Sequence, residues 1–155
     1  MRPHLPTRVP SVIDGLIALI GVHATFDGVQ VVDGPVRSMG ELEDDSVVIA
    51  PATPDNPGTT VAYEAEPGLG RKAYVEIVEV SVVLTSFSGE ENMKARRDRV
   101  TVLLGGLQDV LTQNQVREDA WDSIAMGPEA AWHQVQSEDG ATCALGLTVV
   151  TRSVI

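Results

Sequence analysis

The chain has 155 residues, of which 43% are hydrophobic and 21% charged, and its formal net charge is −11. This length predicts a single domain spanning residues 1–155, and the composition excludes an intrinsically disordered chain. The negative charge disfavours nucleic acid and anionic lipid as binding partners, and apolar runs such as residues 12–20 are too short to cross a membrane as a helix.

The N-terminal third predicts a helix followed by two strands. Apolar residues at helical spacing favour a helix over residues 12–20, with Ser11 and Asp14 forming a pattern like a capping box. The prolines that precede this helix are wrong for a signal peptide, so we expect a cytosolic chain. Short β-rich runs then predict strands at residues 29–32 and 46–50.

Residues 51–70 are rich in proline and glycine and predict a long loop or a loose hairpin. Only residues 59–63 offer β-forming side chains within this stretch. Loops of such length carry function or stay mobile, and the sequence leaves both alternatives open. The glycines at its end, within residues 68–72, lack the spacing of a phosphate-binding loop and predict a turn.

Residues 72–87 give the strongest strand signal, with apolar side chains on both faces. A strand of that length would extend roughly 50 Å at about 3.3 Å per residue, so we expect part of it to project beyond the domain. Glu76 and Glu79 lie on opposite faces, which a bulge or a solvent-exposed first half of the strand would explain.

A second helix is predicted from a capping box at Ser88 and Glu91 to about Gln113. Arg96 lies within its apolar stripe, where its guanidinium must either snorkel out to solvent or find a carboxylate partner. Glu76 or Glu79 is the expected partner. The pair at residues 105–106 is Gly-Gly, which weakens a helix and marks either a weak point or a close approach of another segment.

The C-terminal third predicts strands at residues 121–126, 130–135 and 141–150, the last two joined by a hairpin turn at residues 137–140. The simplest packing of all these elements is an α+β fold, with a mostly antiparallel sheet, two helices packed on one face and a long loop or hairpin excursion.

No motif for catalysis, metal binding or cofactor binding is present in the sequence. His4, His23 and His133 are scattered without the ligand spacing of a zinc site. Cys143 lies in an alternating apolar segment, which is typical of a small buried side chain. We therefore expect a protein that is not an enzyme and uses no cofactor.

Charged residues concentrate in two separate segments of the chain. The acidic cluster consists of Glu41, Glu43, Asp44 and Asp45. The basic cluster, at the start of the second helix, includes Arg97 and Arg99. If these clusters lie on opposite sides of the domain, they would attract each other between neighbouring copies in a head-to-tail ring. The hypothesis is that these six residues make inter-subunit contacts.

The order of sequence blocks resembles that of the tail terminator, or tail completion, proteins of long-tailed (siphovirus-type) bacteriophages. The likeness covers nearly the whole chain and consists of VPSVIDGLIALI, FDGVQVVDGP, DDSVVIAP, a long strand ending in SFSG, an Arg-containing helix closing in LQDVL, and ATCALGLTVVTRS. The resemblance implies a hexameric ring at the head-proximal end of the tail tube, which ends tube polymerisation and offers a docking surface to the head.

The same resemblance implies the partners and the location of the protein. Its partners would be further copies of itself, the tail tube protein and a head–tail connector protein, with DNA only passing through the channel and no membrane involved. It would reside in the tail or neck of the virion after assembly in the cytoplasm of a bacterial host. The 51–70 excursion and the projecting part of residues 72–87 would be docking or inter-subunit elements.

Two alternatives remain open at the level of sequence. A head-completion or neck connector protein of the same virion would share this composition, and its binding partner would distinguish it. A small cytosolic ligand-binding domain belongs to a different class, and a deep pocket with converging polar groups would favour it.

Overall fold

The computed structural model describes residues 7–35, 44–65 and 74–155. In these ranges the chain forms two α-helices, a short 3-10 turn (Ala24–Phe26) and six strands. The bounds are α1 (Val9–Val22), β1 (Gln30–Asp33), β2 (Asp45–Ile49), β3 (Thr59–Ala65), β4 (Tyr74–Ser88), α2 (Met93–Gln113), β5 (Ser123–Ser137) and β6 (Gly140–Val154).

The described strands form one sheet in the order β1-β2-β4-β6-β5, with β3 also paired to β4. Every pair is antiparallel except β1 with β2. Apolar side chains of α1 and α2 meet the same face of this sheet in one core, which includes Leu16, Leu107, Val82 and Leu145. The predicted α+β class, with two helices on one face of a mostly antiparallel sheet, is confirmed.

The length of β4 is explained by its neighbours. One of its edges pairs with β3 along Tyr74–Val80 and then with β2 along Val82–Ser86, while its other edge pairs with β6 over almost its whole length. The two short strands therefore line up end to end beside one long strand. The expectation that part of β4 projects beyond the domain is wrong, because its first half is paired on both edges.

The proline- and glycine-rich excursion contains more regular structure than its composition indicates. After Ile49 the chain leaves the sheet, and it returns where the Ser81 amide donates to the Gly58 carbonyl at 2.8 Å. The following residues form β3, which runs antiparallel to β4 as the two arms of a hairpin. The turn predicted at residues 68–72 lies outside the described residues.

Helix α1 begins earlier than the sequence predicts. Arg8 is its N-cap, Pro10 lies in its first turn, and the Arg8 side chain makes no capping hydrogen bond. Ser11 is inside the helix, so the predicted capping pattern with Asp14 does not form. Proline suits the first turn because amide groups there have no partner within the helix, and this outweighs the serine signal.

Helix α2 begins later than predicted. Ser88 is still part of β4, and its hydroxyl accepts from the Glu90 amide at 3.2 Å. The N-cap is instead Asn92, whose side chain accepts from the Ala95 amide at 3.1 Å. The capping-box prediction was wrong because pairing of Ser88 with Ala141 on β6 holds this residue in the sheet.

The two adjacent glycines of α2 differ in their surroundings. A Cβ atom added to Gly106 would lie 2.6 Å from Thr25 Cγ2 in the 3-10 turn, whereas one added to Gly105 would meet no atom within 4 Å. Close approach therefore explains Gly106 alone. Gly105 has no steric reason for glycine.

We expect Gly105→Ala to raise the free energy of unfolding by up to about 1 kcal/mol, because alanine favours the helix. Gly106→Ala should lower it by about 1–2 kcal/mol, because the new methyl group overpacks the contact with Thr25. Urea denaturation of both variants beside the wild type measures the difference. Equal shifts in the two midpoints would contradict the packing argument.

The C-terminal part of the sheet joins two predicted strands into one. β5 continues from Ser123 to Ser137, with a register shift between Met126 and Ala130 where Gly127 and Pro128 interrupt the pairing. The predicted hairpin turn is confirmed, since Ser137 pairs with Gly140. Trp121 lies in the turn before β5 and is fully buried.

Candidate functional site

The acidic and basic segments meet within one chain, where the start of β2 lies beside the end of β4. Arg99 Nε donates to Asp45 Oδ2 at 2.8 Å, and the Ser86 hydroxyl donates to Asp45 Oδ1 at 2.6 Å. Arg96 Nη1 in turn donates to Ser86 Oγ at 2.9 Å. This network joins the first turns of α2 to β2 and to the end of β4, so Asp45 and Arg99 do not lie on opposite sides of the domain.

The remaining members of the two clusters are distributed differently. Asp44 is exposed, and its carbonyl accepts from the Phe87 amide at 2.6 Å. Arg97 is exposed and donates to Gln134 Oε1 on β5 at 3.1 Å. Glu41 and Glu43 lie outside the described residues. A role of these six residues between subunits stays a prediction, with Asp44 and Arg97 its best placed described members.

The expected partner of Arg96 is not a glutamate of β4. Arg96 contacts the Ser86 hydroxyl and, at 3.4 Å, the Phe87 carbonyl. Glu76 instead is completely buried on the helix side of the sheet, and its Oε1 accepts from the Arg8 amide at 2.6 Å. The carboxylate thereby holds the start of α1 on β4, where the helix dipole also favours negative charge.

The sequence contains a signal for this contact. Glu76 has the same strand parity as Val78, Val80 and Val82, which form the core face. A single carboxylate in an apolar row predicts a buried partner. Its hydrogen bonding and its charge, together with desolvation, raise the pKa of the nearby Tyr63 phenol, while Thr7 acts in the opposite direction.

The opposite face of the sheet holds a groove of about 620 Å³. Its lining includes the small residues Ser81, Thr148 and Gly146 together with three ionisable groups. Those groups are Glu79, Glu129 and His133. The groove offers hydroxyl and carboxylate contacts to whatever lies on this face.

The chain contains one cysteine. Cys143 is buried on the core face, as predicted. Burial raises the pKa of its thiol, and the charge of Arg97 opposes this rise.

Within ranges 7–35, 44–65 and 74–155, no three His, Cys, Asp or Glu residues are grouped so that they could hold a metal ion. No helix in these ranges is long and apolar enough to span a membrane.

Two strand segments stand out by their exposure. Residues 130–137 of β5 are exposed on both faces of the sheet, including Trp132 and Val135. The residues of β3 after Thr59 are likewise exposed on both faces, including Val61 and Tyr63. The sequence predicted strands in these places without indicating that neither helix covers them. The sequence feature that distinguishes these two segments is their near absence of formal charge. Glu64 is the single formally charged residue in them.

Comparison with known proteins gives one kind of match. No protein-family model matches the chain, and no curated protein matches it in sequence. Among solved structures, the fold is similar to a chain in the virion of a native gene transfer agent particle, with a TM-score of 0.53 and 12% sequence identity. The similarity covers 90% of this chain and 84% of that chain. At this identity the match describes the fold.

Proposed function

We propose that this protein is a structural virion subunit that forms a ring at the head-proximal end of a phage tail tube, ends tube polymerisation and provides the docking surface for the head. The observation that carries the proposal is the similarity in fold to a chain of a gene transfer agent virion over nearly the full length of both chains. The sequence resemblance to tail terminator proteins supports the same assignment. No catalytic step is part of the proposed role.

The charge and the surface of the chain fit such a role. A net charge of −11 would let DNA pass through a ring without binding to it. Two strand segments exposed on both faces give the subunit surfaces for neighbours. In this proposal the partners are further copies of the chain, the tail tube protein and a head–tail connector, and the site of assembly is a bacterial cytoplasm.

Electron microscopy and a tube-length assay test the proposal. We expect the purified chain to form rings and, when added to polymerising tail tube protein from the same genome, to bind tube ends and stop their growth. Rings that bind the portal of the head and leave tube growth unchanged would assign the chain to the neck connectors. A monomer that binds neither partner would refute a virion role.

Charge reversal separates assembly from folding. Arg97→Glu changes an exposed side chain, so it should weaken ring formation and leave the free energy of unfolding within about 0.5 kcal/mol of the wild type. Arg99→Glu removes the partner of Asp45 and should lower stability by about 1–2 kcal/mol. Light scattering and urea denaturation of both variants give the two readouts. An unchanged oligomer in Arg97→Glu would exclude Arg97 from the interface.

A further inference from the structure

Among the described residues, three strands have an outer edge without a partner strand, namely β1, β3 and β5, and two of them offer segments of seven residues. The first, named here the β5 edge, is residues 130–136, and the second, the β3 edge, is Thr59–Ala65. The β5 edge carries no formally charged side chain, and the single charge of the β3 edge, Glu64, is paired with Arg152 at 3.2 Å. Proteins that avoid edge pairing place charges, prolines or bulges on such strands. These two segments lack that protection.

The backbone groups of the β3 edge can be assigned to inward and outward sets. The Ser81 amide donates to the Gly58 carbonyl, and the Ser81 carbonyl accepts from the Ala50 amide. The backbone N–H and C=O groups of successive residues point to alternate sides of a strand. The backbone groups of odd-numbered β4 residues therefore point toward β3. Their partners on β3 are even-numbered. The outward groups of the β3 edge are therefore those of Thr59, Val61, Tyr63 and Ala65.

The same reasoning applies to the β5 edge. The Arg152 carbonyl accepts from the Asp122 amide, so the backbone groups of even-numbered β6 residues point toward β5. Their partners on β5 are odd-numbered, as in the pairs Gly146 with Ala131 and Ala144 with His133. The outward groups of the β5 edge are therefore those of Ala130, Trp132, Gln134 and Gln136.

We infer that the β5 edge of one copy pairs antiparallel with the β3 edge of the next copy. This inference rests on the proposed ring. β5 runs in the same direction as β4, and β3 runs in the opposite direction. Two copies placed side by side in the same orientation therefore bring β5 of one copy next to an antiparallel β3 of the other. With Trp132 opposite Tyr63, all seven residues of the β3 edge are paired. Every outward residue then faces an outward residue, which allows about eight backbone hydrogen bonds.

Side chains favour this register as well. Val61 and Tyr63 lie on the helix side of the sheet, since they pair with Val78 and Glu76, and Trp132 lies on that same side, since it pairs with Leu145. The exposed fractions are 44% for Trp132 and 56% for Tyr63. Facing aromatic residues across an antiparallel pair stabilise it, so the contact covers apolar surface that each copy leaves exposed.

The contact is heterologous and therefore repeats. Trp132 is level with Leu84 of β4, and Tyr63 is level with Glu76 of β4. Leu84 and Glu76 are eight residues apart, so neighbouring copies are offset along the strands by about 27 Å at 3.4 Å per residue. Such an offset closes into a ring when the strands are inclined to the ring axis, as strands are in closed barrels. Pairing of two β5 edges about a two-fold axis would instead stop at a dimer.

Disulfide trapping tests the register. In the inferred pairing, Ala62 and His133 face each other as a non-hydrogen-bonded pair, whose Cα separation suits a disulfide. We expect the double variant Ala62→Cys with His133→Cys to form a ladder of covalent oligomers under mild oxidation. The matched control, Ala62→Cys with Ser137→Cys, places the second thiol four residues further along β5 and should give no ladder. Native Cys143 is buried and stays in both variants.

The outcomes of this experiment separate the inference from the proposed function. A covalent dimer from His133→Cys alone would reveal two-fold pairing of β5 edges and overturn the inference. Rings seen by electron microscopy without the expected ladder would also overturn it and leave the ring proposal intact. Monomers without a ladder would overturn both.

A backbone variant gives a second readout. Gln136→Pro removes an outward amide of the β5 edge, a position at which a proline is compatible with the fold of the single chain. We expect it to weaken assembly at least about tenfold relative to Gln136→Ala, measured by light scattering over a concentration series. Equal assembly of the two variants, with unchanged circular dichroism, would contradict pairing at this edge.

Discussion

Replacing Trp121 by alanine is expected to lower the free energy of unfolding by about 3–5 kcal/mol. The side chain is 1% exposed, and its Nε1 donates to the Asn114 carbonyl at 2.8 Å. Its ring lies against α1, where a Cβ atom added to Gly15 would be 3.0 Å from Trp121 Cζ3. Truncation would therefore leave a cavity between the two helices and an unpaired carbonyl at the end of α2.

The second tryptophan provides the matched control. Trp132 is 44% exposed on the β5 edge, so Trp132→Ala should change the stability of the dissociated chain by no more than about 0.5 kcal/mol. Urea denaturation must be followed at concentrations below assembly, because association adds to apparent stability. A loss of less than about 1 kcal/mol for Trp121→Ala would show that this ring is not part of the stabilising core.

Gly140→Ala is expected to destabilise the chain by about 3 kcal/mol or more. Gly140 has a φ of +130°, and an added Cβ atom would lie 2.0 Å from the Ser88 carbonyl oxygen. The obstacle is backbone, so no side-chain rotation relieves it. The turn between β5 and β6 would have to change its course, and the pairing of both strands would move with it.

A neighbouring glycine isolates this effect. Gly89 lies beside Gly140 across the sheet, yet a Cβ atom added to it would meet no atom within 4 Å. Gly89→Ala should therefore leave the unfolding midpoint nearly unchanged, while Gly140→Ala shifts it strongly. Thermal unfolding of the pair, with circular dichroism of the remaining folded fraction, is the measurement. Similar midpoints would refute the clash.

Strong local periodicity was sufficient to predict most elements of the sheet. The alternation in β6, with Cys143, Leu145, Leu147 and Val149 on one face, predicted the strand, and the structure places that face in the core. The serine-based capping patterns did not predict the helix starts, because sheet pairing retains Ser88 and Pro10 favours an earlier start of α1. In both cases a tertiary contact or a backbone constraint outweighed a capping signal.

Charge clusters illustrate a different limit. The sequence shows that Asp45 and Arg99 belong to segments of opposite sign, and it favours a contact between copies. Folding brings these two side chains within 2.8 Å of each other in one chain, because β2 and the end of β4 lie beneath the first turns of α2. A sequence records charge and separation, whereas the partner of each charge depends on the topology.

The topology also determines the order in which the proposed edges become available. Each edge strand is adjacent in sequence to its own partner, β3 to β4 and β5 to β6, whereas β4 and β6 are joined only after α2 and β5 have been traversed. Local hairpins form early and long-range pairing forms late. A chain in which only the local hairpins have formed would therefore carry the β3 edge and the β5 edge on two separate pieces of sheet, and the spacing between the two edges would be set only when β4 pairs with β6.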